Sequence, residues 1–124
     1  MVILDSNIWI AFFNKADSQH AKAKKVLQKN NNKLVITEYI LLEVASVLCL
    51  RSKKLVADKF LEMATNNKDI EVLASSEIFL NKIVSEFFKH KTKYLSFVDI
   101  SLVHLSGRYE IVTFDKKLDR VING

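Results

Sequence analysis

The chain has 124 residues, of which 49% are apolar and 27% are charged, and 19 basic against 14 acidic residues give a formal net charge of +5. This size and composition predict a single domain over 1–124 with a core of its own, and they exclude an intrinsically disordered chain. No stretch approaches the ~20 apolar residues of a membrane span, and the start of the chain lacks a basic leader, so we expect a cytoplasmic protein with no membrane partner. The one cysteine, Cys49, lies in an apolar run and is predicted to be a buried thiol.

Short apolar runs alternate with longer helical patterns along a chain that contains no proline and only two glycines. Strands are predicted at 2–4, 34–36, 70–73 and 110–114. Helices are predicted after residue 5, from 17 or 18 to 29, at 38–50, 54–65 and 76–89, from Ser96 to a closing Gly107, and briefly through 118–121. This alternation predicts an α/β domain with a mainly parallel sheet, in which ligands bind beyond the carboxyl ends of the strands.

Two acidic residues interrupt apolar helical segments. Glu43 lies in YILLEVASVLCL, and a helix that is apolar nearly all round is predicted to be buried. Because an isolated buried carboxylate is costly, Glu43 should be protonated, paired with a group from elsewhere in the fold, or bound to a cation. Asp99 lies in SFVDISLVHL, where Ser96 and Asp99 have the spacing of a capping box, a structural role that is compatible with ligand binding.

Two further acids each follow an apolar strand. Asp5 follows VIL and is either a site residue or only the N-cap of the next helix. Asp115 follows IVTF and is either a site residue or a turn residue beside Lys116 and Lys117. If the four acids gather at one place, their repulsion calls for a cation, and oxygen-only ligands favour Mg²⁺ or Mn²⁺. Such ions activate water for attack on phosphodiesters, and a basic surface would hold the rest of a polyanion.

Four segments of the sequence, in this order, resemble the motifs of the PIN-domain nucleases: VILDSNIWIAFF, LLEVASVL, LSFVDISLV and IVTFDKKL. More narrowly, the chain resembles, over essentially its whole length, the VapC-type ribonuclease toxins of toxin–antitoxin pairs. The resemblance implies a three-layer α/β/α fold around a mainly parallel central sheet. It also implies that Asp5, Glu43, Asp99 and Asp115 are the catalytic residues and hold Mg²⁺ or Mn²⁺.

The same resemblance implies further roles and partners. Asn7 and Thr113 fit the supporting polar positions, two residues after the first Asp and two before the last. The implied reaction is endoribonuclease cleavage by metal-activated water, which leaves a 3′-hydroxyl and a 5′-phosphate. The implied partners are an RNA substrate, a cognate antitoxin that covers or disrupts the site, and a second copy in a homodimer. Asp119, an extra acid near the last motif, is predicted to pair on the surface with Lys116 or Arg120.

Basic residues lie next to two of the acids. Lys89, Lys91 and Lys93 precede the helix of Asp99, and Lys116 and Lys117 follow Asp115. They are candidates for contacts to RNA phosphates, and the alternative is a solvated surface that aids solubility. A second basic set is predicted to form a solvated helix face: Lys22, Lys24, Lys25 and Lys29.

Three aromatic side chains near the start of the chain, Trp9, Phe12 and Phe13, have helical spacing. They are predicted to pack in the core, and the alternative is a groove that takes a helix of the antitoxin. The histidines share no metal-ligand spacing, so a zinc site is not predicted.

Other functions fit the sequence less well. A haloacid-dehalogenase-type phosphatase needs a second Asp where this chain has Asn7, and a receiver domain needs an Asp after the strand at 70–73. The alternative from a different class is a PIN-fold RNA-binding or interaction module without catalysis.

Overall fold

The computed structural model describes residues 1–30, 33–91 and 94–124. The four described strands form one parallel sheet in the order β3-β2-β1-β4, which confirms the predicted α/β class. The elements in chain order are β1 (Val2–Leu4), α1 (Ser6–Phe13), α2 (His20–Lys29), β2 (Leu34–Thr37), α3 (Glu38–Arg51), α4 (Lys54–Asn66), β3 (Ile70–Leu73), α5 (Glu77–Lys89), α6 (Phe97–Leu105), β4 (Glu110–Val112) and α7 (Lys116–Asn123).

Helices cover both faces of the sheet. The chain steps from β1 to β2 to β3 in one direction and then returns across the sheet to β4. Because crossovers between parallel strands are right-handed, the helices before β3 lie on one face and those after it on the other. The packing agrees, since α1 contacts α2 and α3, and α3 contacts α4, whereas α6 contacts α5 and α7. The result is the three-layer α/β/α arrangement.

The core lies against the two central strands. β1 and β2 are buried along their whole length, as expected for parallel strands that helices cover on both faces. Trp9 is fully buried, with its ring centroid 6.0 Å from that of Phe60, which confirms the core prediction for this side chain. β3, at the edge of the sheet, exposes Glu71 and Val72.

Among the element boundaries that differ from the predictions, three have a local structural reason. β4 ends at Val112 rather than 114, because beyond it the backbone N–H of Phe114 donates to the side chain of Asn7. α6 ends at Leu105 without the predicted glycine cap, since Gly107 does not take a positive φ. α2 begins at residue 20 rather than at 17 or 18. Asp17 instead forms a separate turn before the helix, in which Gln19 N donates to Asp17 Oδ1 at 2.8 Å.

The predicted burial of Glu43 and Cys49 is wrong, because both side chains are exposed. The buried residues of α3 are Ile40, Val44 and Leu48. Its apolar composition continues onto the outer face, where Leu50 is 85% exposed.

No helix within the described ranges has both the length and the hydropathy to cross a membrane.

Candidate active site

The carboxyl ends of β1 and β4 bring Asp5 and Thr113 together. The two strands are parallel neighbours in which Leu4 lies beside Val112. The backbone continues this pairing, since Asp5 N donates to the carbonyl oxygen of Val112 at 2.9 Å. The next side chains are therefore adjacent, and the Thr113 hydroxyl donates to Asp5 Oδ2 at 2.7 Å. This is the edge of a parallel sheet at which ligands are expected.

The Thr113 hydroxyl is the centre of a hydrogen-bond network. It accepts from Asn7 Nδ2 at 3.3 Å and from Asp115 N at 3.0 Å. A hydroxyl has two acceptor positions and one hydrogen, so with both acceptors used its hydrogen is directed to Asp5. The amide of Asn7 is oriented from its other end, because Asn7 Oδ1 accepts from Phe114 N at 3.3 Å. The two supporting residues thus join the turn after β1 to the turn after β4.

Asp5 is a buried acid, with only 4% of its surface exposed. Its Oδ1 accepts from Ser6 N at 2.7 Å, so each carboxylate oxygen has a donor. Burial is the main reason that the pKa of Asp5 is raised, and the hydrogen bonds from Thr113 and Ser6 partly oppose this. The negative charges of Asp99 and Glu43 raise the pKa of Asp5 further. Both carboxylates therefore lie close enough to act on Asp5, although they come from different helices.

Asp99 is part of a capping box, as its spacing predicted. Ser96 N donates to Asp99 Oδ2 at 2.9 Å, and Asp99 N donates to Ser96 Oγ at 3.1 Å. The capping box uses one carboxylate oxygen and leaves Oδ1 available. The structural role of Asp99 is therefore compatible with ligand binding.

Asp115 and Asp5 are also helix caps. Asp115 Oδ1 accepts from Lys117 N at 2.9 Å and from Leu118 N at 3.2 Å at the start of α7. Asp5 holds the corresponding position at the start of α1. The N-terminal end of a helix is the positive end of its dipole and favours a nearby negative charge. The sequence-level alternative for Asp5, an N-cap, is thus confirmed as a structural role, and Asp115 caps a helix rather than a simple turn.

Glu43 differs from the other three acids. Its carboxylate makes no hydrogen bond or ion pair within the described ranges, and its effect on the pKa of Asp5 is what links it to the site. In 1–30, 33–91 and 94–124, no three His, Cys, Asp or Glu side chains are arranged to hold a metal ion. The charges of Asp99 and Glu43 both act on Asp5, and Thr113 links the backbone of Asp115 to the Asp5 carboxylate.

The basic residues named from the sequence lie on the surface: Lys89, Lys91, Lys116 and Lys117 are exposed, and Lys93 lies outside the described residues. The Lys117 ammonium lies 4.2 Å from the ring centroid of Tyr94. Sequence analysis missed this tyrosine, which ends the basic run KHKTKY. An aromatic residue within a basic segment was the signal that could have identified it.

A second cation lies over an aromatic ring next to the site. Lys22 Nζ of α2 is 4.6 Å from the ring centroid of Phe114, the residue before Asp115.

Asp119 does not form the predicted pair with Lys116 or Arg120; instead, its Oδ1 accepts from Asn123 Nδ2 at 2.7 Å.

A cavity of about 210 Å³ lies between the ends of β2 and β3 and helices α5 and α6. Two of its polar lining groups are hydrogen-bonded to each other, since Ser75 N donates to Glu38 Oε1 at 2.9 Å. None of the four acids lines this cavity, so the acidic edge and the cavity are separate features.

A parallel α/β/α fold with acids at the carboxyl edge of its sheet defines a class of protein. The sequence matches the PIN domain family over residues 2–123, and the chain belongs to that family. The resemblance noted from the four motifs is thereby confirmed. A comparison with curated protein sequences gave no significant match.

Two solved structures of VapC proteins share the fold. VapC20 of Mycobacterium tuberculosis, a sarcin–ricin loop cleaving toxin, is similar with a TM-score of 0.86 and 17% identity, over 97% of this chain and 94% of VapC20. VapBC2 from Rickettsia felis, bound to a DNA fragment from its promoter, is similar with a TM-score of 0.64 and 20% identity, over 98% of this chain and 93% of the matched chain. The fold of this chain is therefore that of the VapC-type PIN domains.

Proposed function

We propose that this PIN domain is a Mg²⁺- or Mn²⁺-dependent endoribonuclease and the toxin of a type II toxin–antitoxin pair. The observation that carries the proposal is the buried Asp5 carboxylate, which Thr113 orients and which Asp99 and Glu43 affect electrostatically. Membership of the PIN family and the likeness to VapC20 support a nuclease. Because VapC20 cleaves the sarcin–ricin loop, this loop is the first substrate to test.

The donor chemistry of the site fits a hard divalent cation. Every candidate ligand is a carboxylate oxygen, which Mg²⁺ and Mn²⁺ prefer, and a cation would relieve the repulsion that contributes to the raised pKa of Asp5. Asp5, Glu43, Asp99 and Asp115 would hold it. When bound, such an ion polarises the phosphate and lowers the pKa of a coordinated water.

The chain's own residues have distinct tasks in this proposal. Thr113 and Asn7 hold the Asp5 carboxylate in one orientation and tie it to the backbone of Asp115. Asp99 contributes the oxygen that its capping box does not use. Glu43, exposed and unpaired in the described ranges, adjusts its side chain to the ligand. The exposed lysines beside the site neutralise RNA phosphates: Lys89, Lys91, Lys116 and Lys117.

A groove at the C-terminal end of α1 suits the proposed antitoxin. Phe12, Phe13 and Leu55 contribute apolar surface to this groove, which has a volume of about 750 Å³, and its other lining residues include four lysines: Lys15, Lys24, Lys53 and Lys59. A groove lined by apolar side chains and lysines fits an amphipathic segment that carries acidic side chains. Trp9 is buried below and takes no part.

Leu55→Lys tests this groove, because it puts a charge on exposed apolar surface that lines it. We expect it to abolish capture of the antitoxin encoded beside this gene, whereas Ile78→Lys, at an exposed position on α5, should leave capture intact. Equal capture by both variants would contradict the assignment of this groove to the antitoxin.

That this chain forms a homodimer remains a prediction, to be measured by sedimentation.

The melting temperature with and without Mn²⁺ tests the catalytic proposal without any choice of substrate. A metal that binds only the folded state stabilises it, so Mn²⁺ about a hundredfold above its Kd should raise the melting temperature by roughly 10 °C. Asp99→Asn should lose most of this rise while keeping the helix cap, because the amide oxygen still accepts from Ser96 N. Glu77→Gln, at another exposed acid in a first helical turn, is the control and should keep the full rise.

Cleavage of an RNA that contains the sarcin–ricin loop should then require Mn²⁺ and be lost in Asp99→Asn. A wild-type protein that binds RNA but shows neither stabilisation by Mn²⁺ nor cleavage would instead be the non-catalytic PIN module. Stabilisation without cleavage of this loop would keep the metal site and direct the search to another RNA.

A further inference from the structure

The cavity at the ends of β2 and β3 adjoins a second cavity beside α5 and α6. The first has a volume of about 210 Å³ and the second of about 190 Å³, and four residues line both: Ser76, Phe79, Leu105 and Arg108. Together the two cavities reach the range of ~300–1,000 Å³ that is typical of sites for small organic molecules. None of the four proposed site acids lines either cavity, so a ligand bound here would not occupy the acidic edge.

Three aromatic side chains line the larger cavity: Tyr39, Phe79 and Tyr109. The rings of Tyr39 and Phe79 are stacked, with centroids 6.1 Å apart and an interplanar angle of 27°. The Tyr39 hydroxyl is hydrogen-bonded to Ser75 Oγ at 2.6 Å, which ties the start of α3 to the segment between β3 and α5. Because these rings are held in place, the cavity offers a preformed surface to a flat ring of a ligand.

Charged side chains are divided between the two cavities. Glu38 lines only the larger cavity, Lys82 lines only the smaller one, and Arg108 lines both. Glu38 Oε1 accepts from Ser75 N at 2.9 Å, and its other oxygen has no donor within the described residues. The exposed Lys82 and Arg108 form no ion pair in the part of the chain that the structure describes. The larger cavity therefore offers an acceptor to an N–H group, and the smaller one offers two cations to an anion.

This division of charge fits a nucleoside monophosphate. Its base is flat and carries N–H donors for Glu38, and its phosphate lies at the other end of the molecule, where Arg108 and Lys82 would contact it. The planar guanidinium of an arginine matches a phosphate with two parallel hydrogen bonds. A free amino acid fits less well, because it carries its ammonium and its carboxylate on the same carbon atom.

We infer that the two cavities form a binding site for a free nucleoside monophosphate, whose base lies in the larger cavity and whose phosphate contacts Arg108 and Lys82. Glu38 accepts a hydrogen bond from the base. This site is distinct from the acidic edge, and the inference does not rest on the proposed cleavage of RNA.

Calorimetric titration of the full chain with each of the four ribonucleoside 5′-monophosphates, in EDTA, tests the inference. EDTA removes divalent cations, so a metal at the acidic edge cannot hold the phosphate. We expect at least one nucleotide to bind about tenfold more tightly than ribose 5-phosphate, which lacks the base. The same nucleotide should bind about tenfold more tightly than its nucleoside, which lacks the phosphate.

Substitutions at the charged positions locate the bound nucleotide. Arg108→Gln should weaken its binding about tenfold, and Lys82→Gln, at the second exposed cation, should weaken it severalfold. Arg51→Gln, at an exposed arginine that lines neither cavity, is the control and should keep the wild-type affinity. Glu38→Gln should weaken binding of the nucleotide but not of ribose 5-phosphate, which has no base to donate. A melting temperature close to that of the wild type shows that each variant is folded.

Three results would overturn the inference. The first is that none of the four nucleotides binds at millimolar concentration. The second is that ribose 5-phosphate or the nucleoside binds as tightly as the nucleotide, because the site would then recognise only one part of the molecule. The third is an unchanged affinity in folded Arg108→Gln and Lys82→Gln, which would place the nucleotide elsewhere. Since binding is measured in EDTA, each of these results leaves the proposed metal-dependent cleavage to its own tests.

Discussion

The acids at the edge of the sheet are held in two different ways. Asp5 and Asp115 follow strands β1 and β4, and hydrogen bonds through the Thr113 hydroxyl join them. Glu43 and Asp99 come from helices on opposite faces of the sheet, and neither is joined to Asp5 by a hydrogen bond within the described residues. Asp5 and Asp115 are therefore tied to one another through Thr113, whereas Glu43 and Asp99 act on Asp5 through their charges.

Hydrogen bonds support the Asp5 carboxylate against its burial and the nearby like charges. Hydrogen bonds from Thr113 and Ser6 lower the pKa of Asp5 and partly offset its burial. The helix-borne acids keep some freedom, because Glu43 is exposed and Asp99 uses one oxygen for its capping box. We expect metal binding to order these two acids around an already ordered Asp5.

The largest expected effect follows from replacing the fixed acid. Asp5→Asn removes the buried charge at the centre of the site and should lower RNA cleavage by roughly 10³-fold or more, as measured by initial rates at saturating Mn²⁺. Asp17→Asn is the matched control, because Asp17 also accepts from a nearby backbone N–H but lies at an exposed turn away from the site. Substantial cleavage by Asp5→Asn would contradict the assignment.

The hydrogen-bond network should have the next largest effect. Thr113→Val keeps the shape of the side chain but leaves Asp5 Oδ2 without a donor and two N–H groups without an acceptor. We expect a loss of about 1–3 kcal/mol in the free energy of unfolding and 10–100-fold weaker Mn²⁺ binding by calorimetry. Thr113→Ser should restore both, and Mn²⁺ affinity that is unchanged in Thr113→Val would show that the network is only structural.

Changing a helix-borne acid should separate stability from metal binding. Glu43 is exposed and unpaired in the described ranges, so Glu43→Gln should change the metal-free stability by less than about 0.5 kcal/mol. Its Mn²⁺ affinity should still fall, by about tenfold. Glu62→Gln, at an exposed acid of α4, should change neither quantity. Full Mn²⁺ affinity in Glu43→Gln would remove Glu43 from the site.

The smallest expected effect is a pH dependence of stability in the metal-free protein. The pKa of Asp5 is raised in the folded state, so protonation of Asp5 adds to the free energy of unfolding. This contribution to stability is fully present below the ordinary Asp pKa of about 3.9, and it is lost as the pH rises through the raised value. Urea unfolding midpoints across this range should therefore show a decline with pH that Asp5→Asn removes. Saturating Mn²⁺ should also remove it, since the cation favours the ionised acids; a decline that persists in Asp5→Asn must come from other groups.

Much of the fold could be predicted from local patterns. The apolar runs before Asp5 and before Asp115 indicated strands, and the spacing of Ser96 and Asp99 indicated a capping box, because both patterns depend on near neighbours in the chain. The burial of Glu43 could not be predicted in this way. The apolar composition of α3 extends around the helix, but only the face with Ile40 and Val44 is covered by neighbouring elements.

The amino-acid sequence by itself determined the class of fold and the four candidate acids. It also indicated that Asp5 and Asp115 follow strands and that Asp99 lies at a helix start, since these features follow from periodicity and capping. Tertiary structure decided that Asp5 is held by a hydrogen bond from a distant residue, whereas Glu43 is exposed and unpaired within the described residues. The parallel register of β1 and β4 puts the Thr113 hydroxyl against Asp5, and the meeting of two distant segments puts Lys117 over Tyr94. Contacts between residues more than twenty positions apart depend on strand order and helix packing, which no local pattern in the chain specifies.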